Sequence, residues 1–189
     1  MTICTKDVET SDLNIIYYVN DIYVRTNCIL RQFMNTKDIF EANEIVDGMY
    51  LGNINSAYDI EKLKEIGITH IISVLAGFIP PYPNDFKYLQ LNALDTINTN
   101  LFEEFDITNQ FINEAFEDKN NKILIHCMAG RSRSATILSA YMIKTFGFKT
   151  ENTLNALRNK RPIVEPNTYF VKQLNNYYDK LYNNSNENN

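Results

Sequence analysis

Ile123-Leu124-Ile125-His126-Cys127-Met128-Ala129-Gly130-Arg131-Ser132-Arg133-Ser134 decides how this chain is read. Ile123 to Ile125 is a short apolar run rich in β-branched side chains, as a central strand requires. Ala135-Thr136-Ile137-Leu138-Ser139-Ala140-Tyr141-Met142-Ile143 then continues at helical spacing. The loop between them opens a helix, where unpaired amides and the positive end of the helix dipole favour an anion. Cys127 stands at the mouth of that loop, and Arg133 closes it six residues later. A free thiol, with a pKa of about 8.5, is mostly protonated at neutral pH; a helix N-terminus and cationic neighbours can bring it to roughly 3.5–7.5. The stretch therefore reads as an anion site that carries its own nucleophile. Residues 128 to 133 can wrap their amides around a phosphoryl group, Arg133 can pair two of its oxygens, and the Cys127 sulfur can attack it.

Working outward, strands and helices alternate. Thr69 to Leu75 is a core strand, and Tyr88 to Ala93 is a second strand that delivers Asp95 just past its end. Asn100 with Glu103 resembles a capping box, ahead of a helix with Leu101, Phe105, Thr108, Phe111, Ile112 and Ala115 on its apolar face. This order predicts an α/β fold: a mostly parallel central sheet flanked by helices on both faces, with function at the C-terminal ends of the strands. Cys127 and Asp95 both fall at such ends. Displacing an alcohol or phenol from phosphorus needs a proton for the leaving oxygen, and the Asp95 carboxyl can give it. His70, set in an apolar strand, reads as structural rather than as a base.

Further upstream, Ile45 to Gly52 reads as a hairpin turning at Asp47-Gly48, and Ser56 opens a helical series (Ala57, Ile60, Leu63, Ile66) that Gly67 ends. Residues 77 to 85 hold three of the five prolines and read as an irregular surface loop. Downstream, a helix from Arg133 to about Phe146 stops at Gly147, and Thr150 caps the next, with Leu154 and Leu157 inward. Arg161-Pro162 ends that helix, and Asn167 opens a last one with Phe170, Leu174, Tyr177 and Leu181. Arg158, Lys160 and Arg161 read as a solvated helix end, with a second phosphate-binding patch as the alternative.

Composition bounds the rest. The 189 residues, 44% hydrophobic and 22% charged, suit one domain with additions at its ends. The net charge of −5 argues against nucleic acid as a partner and makes any anion site local. Cys4, Cys28 and Cys127 are too few and too scattered for a disulfide framework and are not spaced for zinc, so Cys127 is read as a free thiol. No run approaches a membrane span and no signal pattern opens the chain, so a soluble intracellular protein is expected, cytoplasmic with the nucleus also open. Residues 1–42 read as an N-terminal extension. There Thr10-Ser11-Asp12 caps a helix with Ile15, Val19, Ile22, Ile29 and Phe33 on one face, a strand over Ile15 to Val19 being the alternative. The Asn-rich residues 183–189 read as a disordered tail.

His126-Cys127-x-x-Gly130-x-x-Arg133-Ser134 resembles the signature of cysteine-dependent protein tyrosine phosphatases, in the His-Cys-x-Ala-Gly-x-Ser-Arg-Ser form of their dual-specificity branch. Tyr50-Leu51-Gly52 and Gly67-Ile68-Thr69-His70-Ile71-Ile72 are similar to the start of that catalytic domain. Arg161-Pro162-Ile163-Val164-Glu165-Pro166-Asn167, with Phe170 and Gln173-Leu174, is similar to its end. The resemblance spans residues 43–182 and fits the small atypical members. It implies an enzyme in which Cys127 forms a phosphocysteine, while Met128, Ala129, Gly130, Arg131, Ser132 and Arg133 bind the phosphoryl group. Asp95 acts as acid and then as base, Ser134 helps the sulfur leave, His126 orders the loop and supports the thiolate, and Asn167 fixes the loop from behind. It implies a phosphoprotein substrate and no metal or other cofactor. A phosphoinositide or phosphatidylglycerophosphate lipid is the alternative, raised by Arg131 and lowered by Met128 standing where such members carry Lys. A non-catalytic phosphate-binding docking module and a rhodanese-like sulfur carrier are rivals of other classes; intact Cys127, Arg133 and Asp95 speak against the first, and Asp95 with Ser134 against the second.

Overall fold

The computed structural model describes residues 15, 18, 19, 22–26 and 40–183. From Ala42 onward the order is β1 (Ala42–Val46), β2 (Met49–Gly52), a 3-10 turn at Asn55–Tyr58, α1 (Ile60–Ile66), β3 (Ile68–Val74) and β4 (Lys87–Leu91). A 3-10 turn at Phe102–Glu104 then leads into α2 (Phe105–Ala115), followed by β5 (Lys122–His126), α3 (Arg133–Phe146), α4 (Thr150–Lys160) and α5 (Thr168–Tyr182). The strands form one sheet in the order β1-β2-β5-β3-β4. The Asp47-Gly48 hairpin makes β1 antiparallel to β2, and the remaining pairs are parallel.

Both faces of the sheet are covered, as the apolar strands demand. Ile72, Val74, Ile123 and Ile125 face a core shared with α2, α3, α4 and α5, while Ile71 and Leu124 face a second core with Leu63, Phe78 and Phe86. That side-chain alternation is the two-residue period of a strand. Helix α3 is buried at every position from Arg133 to Ile143, so its N-terminus is held by the core rather than by a surface loop. The register sets Gly52 and Ser73 on either side of His126, bringing the C-terminal ends of β2, β5 and β3 together. No helix among the described residues is long and apolar enough to cross a membrane.

Several local expectations are corrected. Ser56 does not cap α1. Its hydroxyl donates to Asn53 Oδ1 and accepts from Glu41 N, and Asp59 caps instead by accepting from Lys62 N at 2.9 Å. Thr150 is the first helical residue of α4, with Lys149 at the N-cap position and no side-chain cap. Glu103 takes its bond from Asn100 Nδ2 rather than from a backbone amide, so the capping box is not formed and a 3-10 turn leads into α2. The proline loop is irregular and partly exposed, as expected, and it is anchored: Phe78 is buried and Tyr82 Oη donates to Tyr58 O at 2.6 Å. In the N-terminal extension residues 15, 18, 19 and 22–26 are helical; Ile15, Val19 and Ile22 of the expected face are exposed, and Val24 is buried. The cap at residues 10–12, Ile29, Phe33 and the tail from 184 on lie outside the described residues.

Candidate active site

β5 ends in His126 and hands Cys127 to a loop whose shape is set by where its carbonyls go. Met128 O accepts from Ile54 N (3.1 Å), Arg131 O from Glu165 N (2.9 Å) and Ser132 O from Thr136 N (2.9 Å). Ala129 O and Gly130 O accept from the guanidinium of Arg161, at 3.0 and 2.8 Å. Five successive carbonyls are thus tied outward. In a trans peptide the next amide points the opposite way, and no peptide in the described residues is cis. The N–H groups of residues 129–133 consequently turn inward, a cup of donors of the kind that holds anions. Gly130 N already donates to Cys127 Sγ at 3.2 Å. Gly130 has φ +66°, and a Cβ there would fall 2.4 Å from Gly52 O, so only glycine fits.

Cys127 is buried at the base of this cup, and Ser134 Oγ donates to its sulfur at 3.2 Å. Burial, the largest single influence, pushes the thiol up. The charge of Arg133, the hydroxyl and amide of Ser134 and the amide of Arg131 together outweigh it and hold the thiol below its ordinary value. Arg133 is itself buried. One guanidinium nitrogen donates to Ala93 O at 3.0 Å, while Nε has no hydrogen-bond partner among the described residues. A buried cationic N–H left open is costly unless a ligand fills it. Asp95 faces it, with Oδ2 3.6 Å from Nε, and Asp95 Oδ1 accepts from Ser132 Oγ (2.8 Å) and Asn167 Nδ2 (2.9 Å). Thiol, guanidinium and carboxyl therefore gather around one cup.

His126 lies behind the cysteine, its Nε2 2.7 Å from Ser73 Oγ and its ring edge-on to Phe78. Burial first, then the charge of Arg133, against a backbone hydrogen bond with Cys127, lowers its pKa to about 4. The ring is neutral at physiological pH, so it can order the loop by hydrogen bonding but lends the thiolate no charge. His70 is elsewhere, bonded to Thr69 Oγ1 and packed on Phe111 near the start of β3, as its structural reading expects.

Three side chains stand otherwise than expected. Asn167 stands beside the Asp95 carboxyl rather than behind the loop, donating from Nδ2 to Asp95 and from its backbone amide to Ser132 Oγ. The buttress behind the loop is Arg161, which belongs to no solvated patch. It is 2% exposed and also binds Asn43 Oδ1 (2.7 Å) and Glu41 Oε1 (3.1 Å). Arg131 is turned away from Arg133 and pairs with the carboxylate of Glu165. Ser73, Glu165 and Gln173 have no role assigned from the sequence, and Arg161 has a different one. Arg161, Glu165 and Gln173 do stand in the stretch that resembles the end of the catalytic domain, and Ser73 leaves a signal of its own, a polar residue inside an apolar strand, since a buried hydroxyl needs a partner.

Residues 49–180 match the family model for the dual specificity phosphatase catalytic domain. The chain is 38% identical over 130 residues to dual specificity protein phosphatase 1 of Arabidopsis thaliana, covering 69% of this chain and 65% of that one. It is 32% identical over 145 residues to dual specificity protein phosphatase 1B of the same plant, covering 77% and 86%. Among solved structures, the human tyrosine phosphatase-like serine/threonine/tyrosine-interacting protein superposes with a TM-score of 0.70 at 34% identity, over 74% of this chain and 96% of that one. The chain thus spans slightly less than two thirds of the length of the first relative.

Proposed function

Because the chain belongs to the dual specificity phosphatase family, we propose that it removes phosphate from phosphotyrosine and from phosphoserine or phosphothreonine in proteins, through a phosphocysteine intermediate. The observation that carries the reading is the cup: five loop carbonyls tied outward around a low-pKa Cys127, with an open buried N–H on Arg133. In the first step the Cys127 thiolate attacks phosphorus and the bond to the leaving oxygen breaks. The inward amides and Arg133 hold the phosphoryl oxygens, and Asp95 gives its proton to the leaving oxygen. In the second step Asp95 takes a proton from water as that water attacks phosphorus. The phosphorus–sulfur bond breaks, the thiolate departs toward the Ser134 hydroxyl, and inorganic phosphate is released. The catalytic unit runs from about residue 43 to 182, with residues 1–42 an addition to it.

A phosphoprotein is favoured over a phosphoinositide by the Arg131–Glu165 pair. Arg131, Arg158 and Glu165 line a surface pocket of about 430 Å³ beside the loop, so a second phosphate drawn to Arg131 would meet the Glu165 carboxylate. Glu165 already neutralises Arg131 there. A panel of phosphotyrosine, phosphoserine and phosphothreonine peptides against mono- and bisphosphorylated phosphoinositides tests the reading: peptides are the faster substrates, and faster turnover of the lipids overturns it. Glu165→Gln raises kcat/KM on bisphosphorylated lipid by about twofold to fivefold. That is the scale of an exposed charge contact, and monophosphorylated peptides change little.

Ser134 gives a separate check on the nucleophile. Ser134→Ala removes a bond that lowers the Cys127 pKa, so the alkylation of Cys127 by iodoacetamide should rise at higher pH than in the wild type. Below that midpoint the variant reacts about tenfold more slowly, the equivalent of one hydrogen bond to a charged group. An unmoved pH profile rules out Ser134 as a partner of the thiolate.

A further inference from the structure

Gln173 is a buried amide in the middle of α5, far in sequence from the reacting groups, and it spends nearly all of its hydrogen-bonding capacity on one short piece of backbone. Its Oε1 accepts from Leu101 N (2.8 Å) and Phe102 N (2.9 Å), and its Nε2 donates to Thr99 O (2.9 Å). Those three groups are the stem on which the Asp95 segment returns to the fold. Between Asp95 and the stem the chain makes a single turn, closed by Thr99 N on Thr96 O (3.2 Å) and by the hydroxyls of Thr96 and Thr99 (3.1 Å). The front of the same segment is held by Asn167, the N-cap of α5, through its bond to the Asp95 carboxylate. One helix therefore grips both ends of the acid segment, at residues separated by six positions, roughly 9 Å along a helix axis.

We infer that Gln173 is a positioning residue for Asp95: it fixes the stem of the acid segment so that the carboxyl reaches the leaving oxygen. This rests on the assignment of Asp95 as the acid. The chemistry asks for such a device, because a displacement of about 1 Å at a reacting group can cost about 10²-fold. Gln173 touches neither substrate nor nucleophile, and its effect has to pass through Asp95. A purely structural role, capping the turn before α2, would slow every substrate alike. A positioning role is selective for substrates that need the proton.

The test compares an alkyl phosphate, whose leaving group is poor, with an aryl phosphate whose electron-poor phenol leaves unaided. Gln173→Leu leaves two amides and a carbonyl without partners. It lowers kcat/KM on the alkyl phosphate by about 10- to 100-fold, part of the full value of a positioned acid, and on the aryl phosphate by less than about threefold. Gln173→Glu keeps an acceptor for both amides, recovers part of the loss, and serves in its place if the leucine variant does not fold. In an Asp95→Asn background the Gln173 substitution costs nothing further on the alkyl phosphate, because the two act as one unit. Equal losses on both substrates, or losses that add in the double variant, overturn the inference. If Asp95→Asn is itself indifferent to the leaving group, the acid assignment falls instead, and the two failures are told apart.

Discussion

Cys127→Ser abolishes turnover, by on the order of 10⁶, the scale on which covalent enzymes lose activity with their nucleophile, and leaves oxyanion binding intact. The two halves of this result have separate origins. A serine hydroxyl is not ionised near neutral pH, and the influences that lower the thiol, the Arg133 charge and the Ser134 and Arg131 bonds, cannot bring it there. The cup, by contrast, is built from carbonyls tied to Ile54, Arg161, Glu165 and Thr136, none of which depends on the sulfur. Titration of the variant with inorganic sulfate, followed by calorimetry, should show binding within a few-fold of the wild type. Turnover near wild type would remove Cys127 as the nucleophile. Loss of sulfate binding would mean that the sulfur, rather than the outward carbonyl bonds, shapes the loop.

Asp95→Asn should lower kcat/KM on an alkyl phosphate by about 10²–10⁴, the range of positioned acid catalysis, and much less on an electron-poor aryl phosphate. The substitution is close to isosteric. An amide oxygen can still accept from Ser132 Oγ and Asn167 Nδ2, so the segment stays in place and only the transferable proton is lost. With the aryl substrate the second step then becomes the slower one, because water has lost its base, and the phenol is released in a burst. A series of leaving groups of graded pKa measures the effect as a slope. An equal loss along the series would sink the acid assignment.

The nucleophile and cation were legible because their signal is local. Strand, cysteine, turn, arginine and helix occupy a dozen consecutive residues, and each implies the next. Asp95 was legible at one remove, through its place at the end of a strand. What escaped were groups whose role is fixed by contacts far along the chain. Arg161 looks like the basic end of a helix, yet it lies 31 residues from Gly130 and 118 from Asn43, both of which it binds. Gln173 stands in the stretch that resembles the end of the catalytic domain, but nothing local gives it a task, because its partners are 71 to 74 residues away. The helix starts misassigned to Ser56 and Thr150 failed for a different reason. A hydroxyl near a helix start can bond elsewhere, and propensity does not say which partner wins. In the N-terminal extension Val24, which the expected face did not include, is the residue that meets the core, while Ile15, Val19 and Ile22 are exposed.

The bonds of Arg161 also bear on the order in which the molecule assembles. Its guanidinium joins Glu41 and the first strand of the hairpin to a loop and a helix end more than 80 residues later. Contacts of such wide separation close slowly, because loop entropy is lost before they form. The helices and the hairpin can each form from nearby residues, but the anion cup cannot take its final shape until Glu41, Asn43, the loop and Arg161 have met. Catalytic competence is therefore among the last properties the folding chain acquires, and a partly folded chain is a silent one.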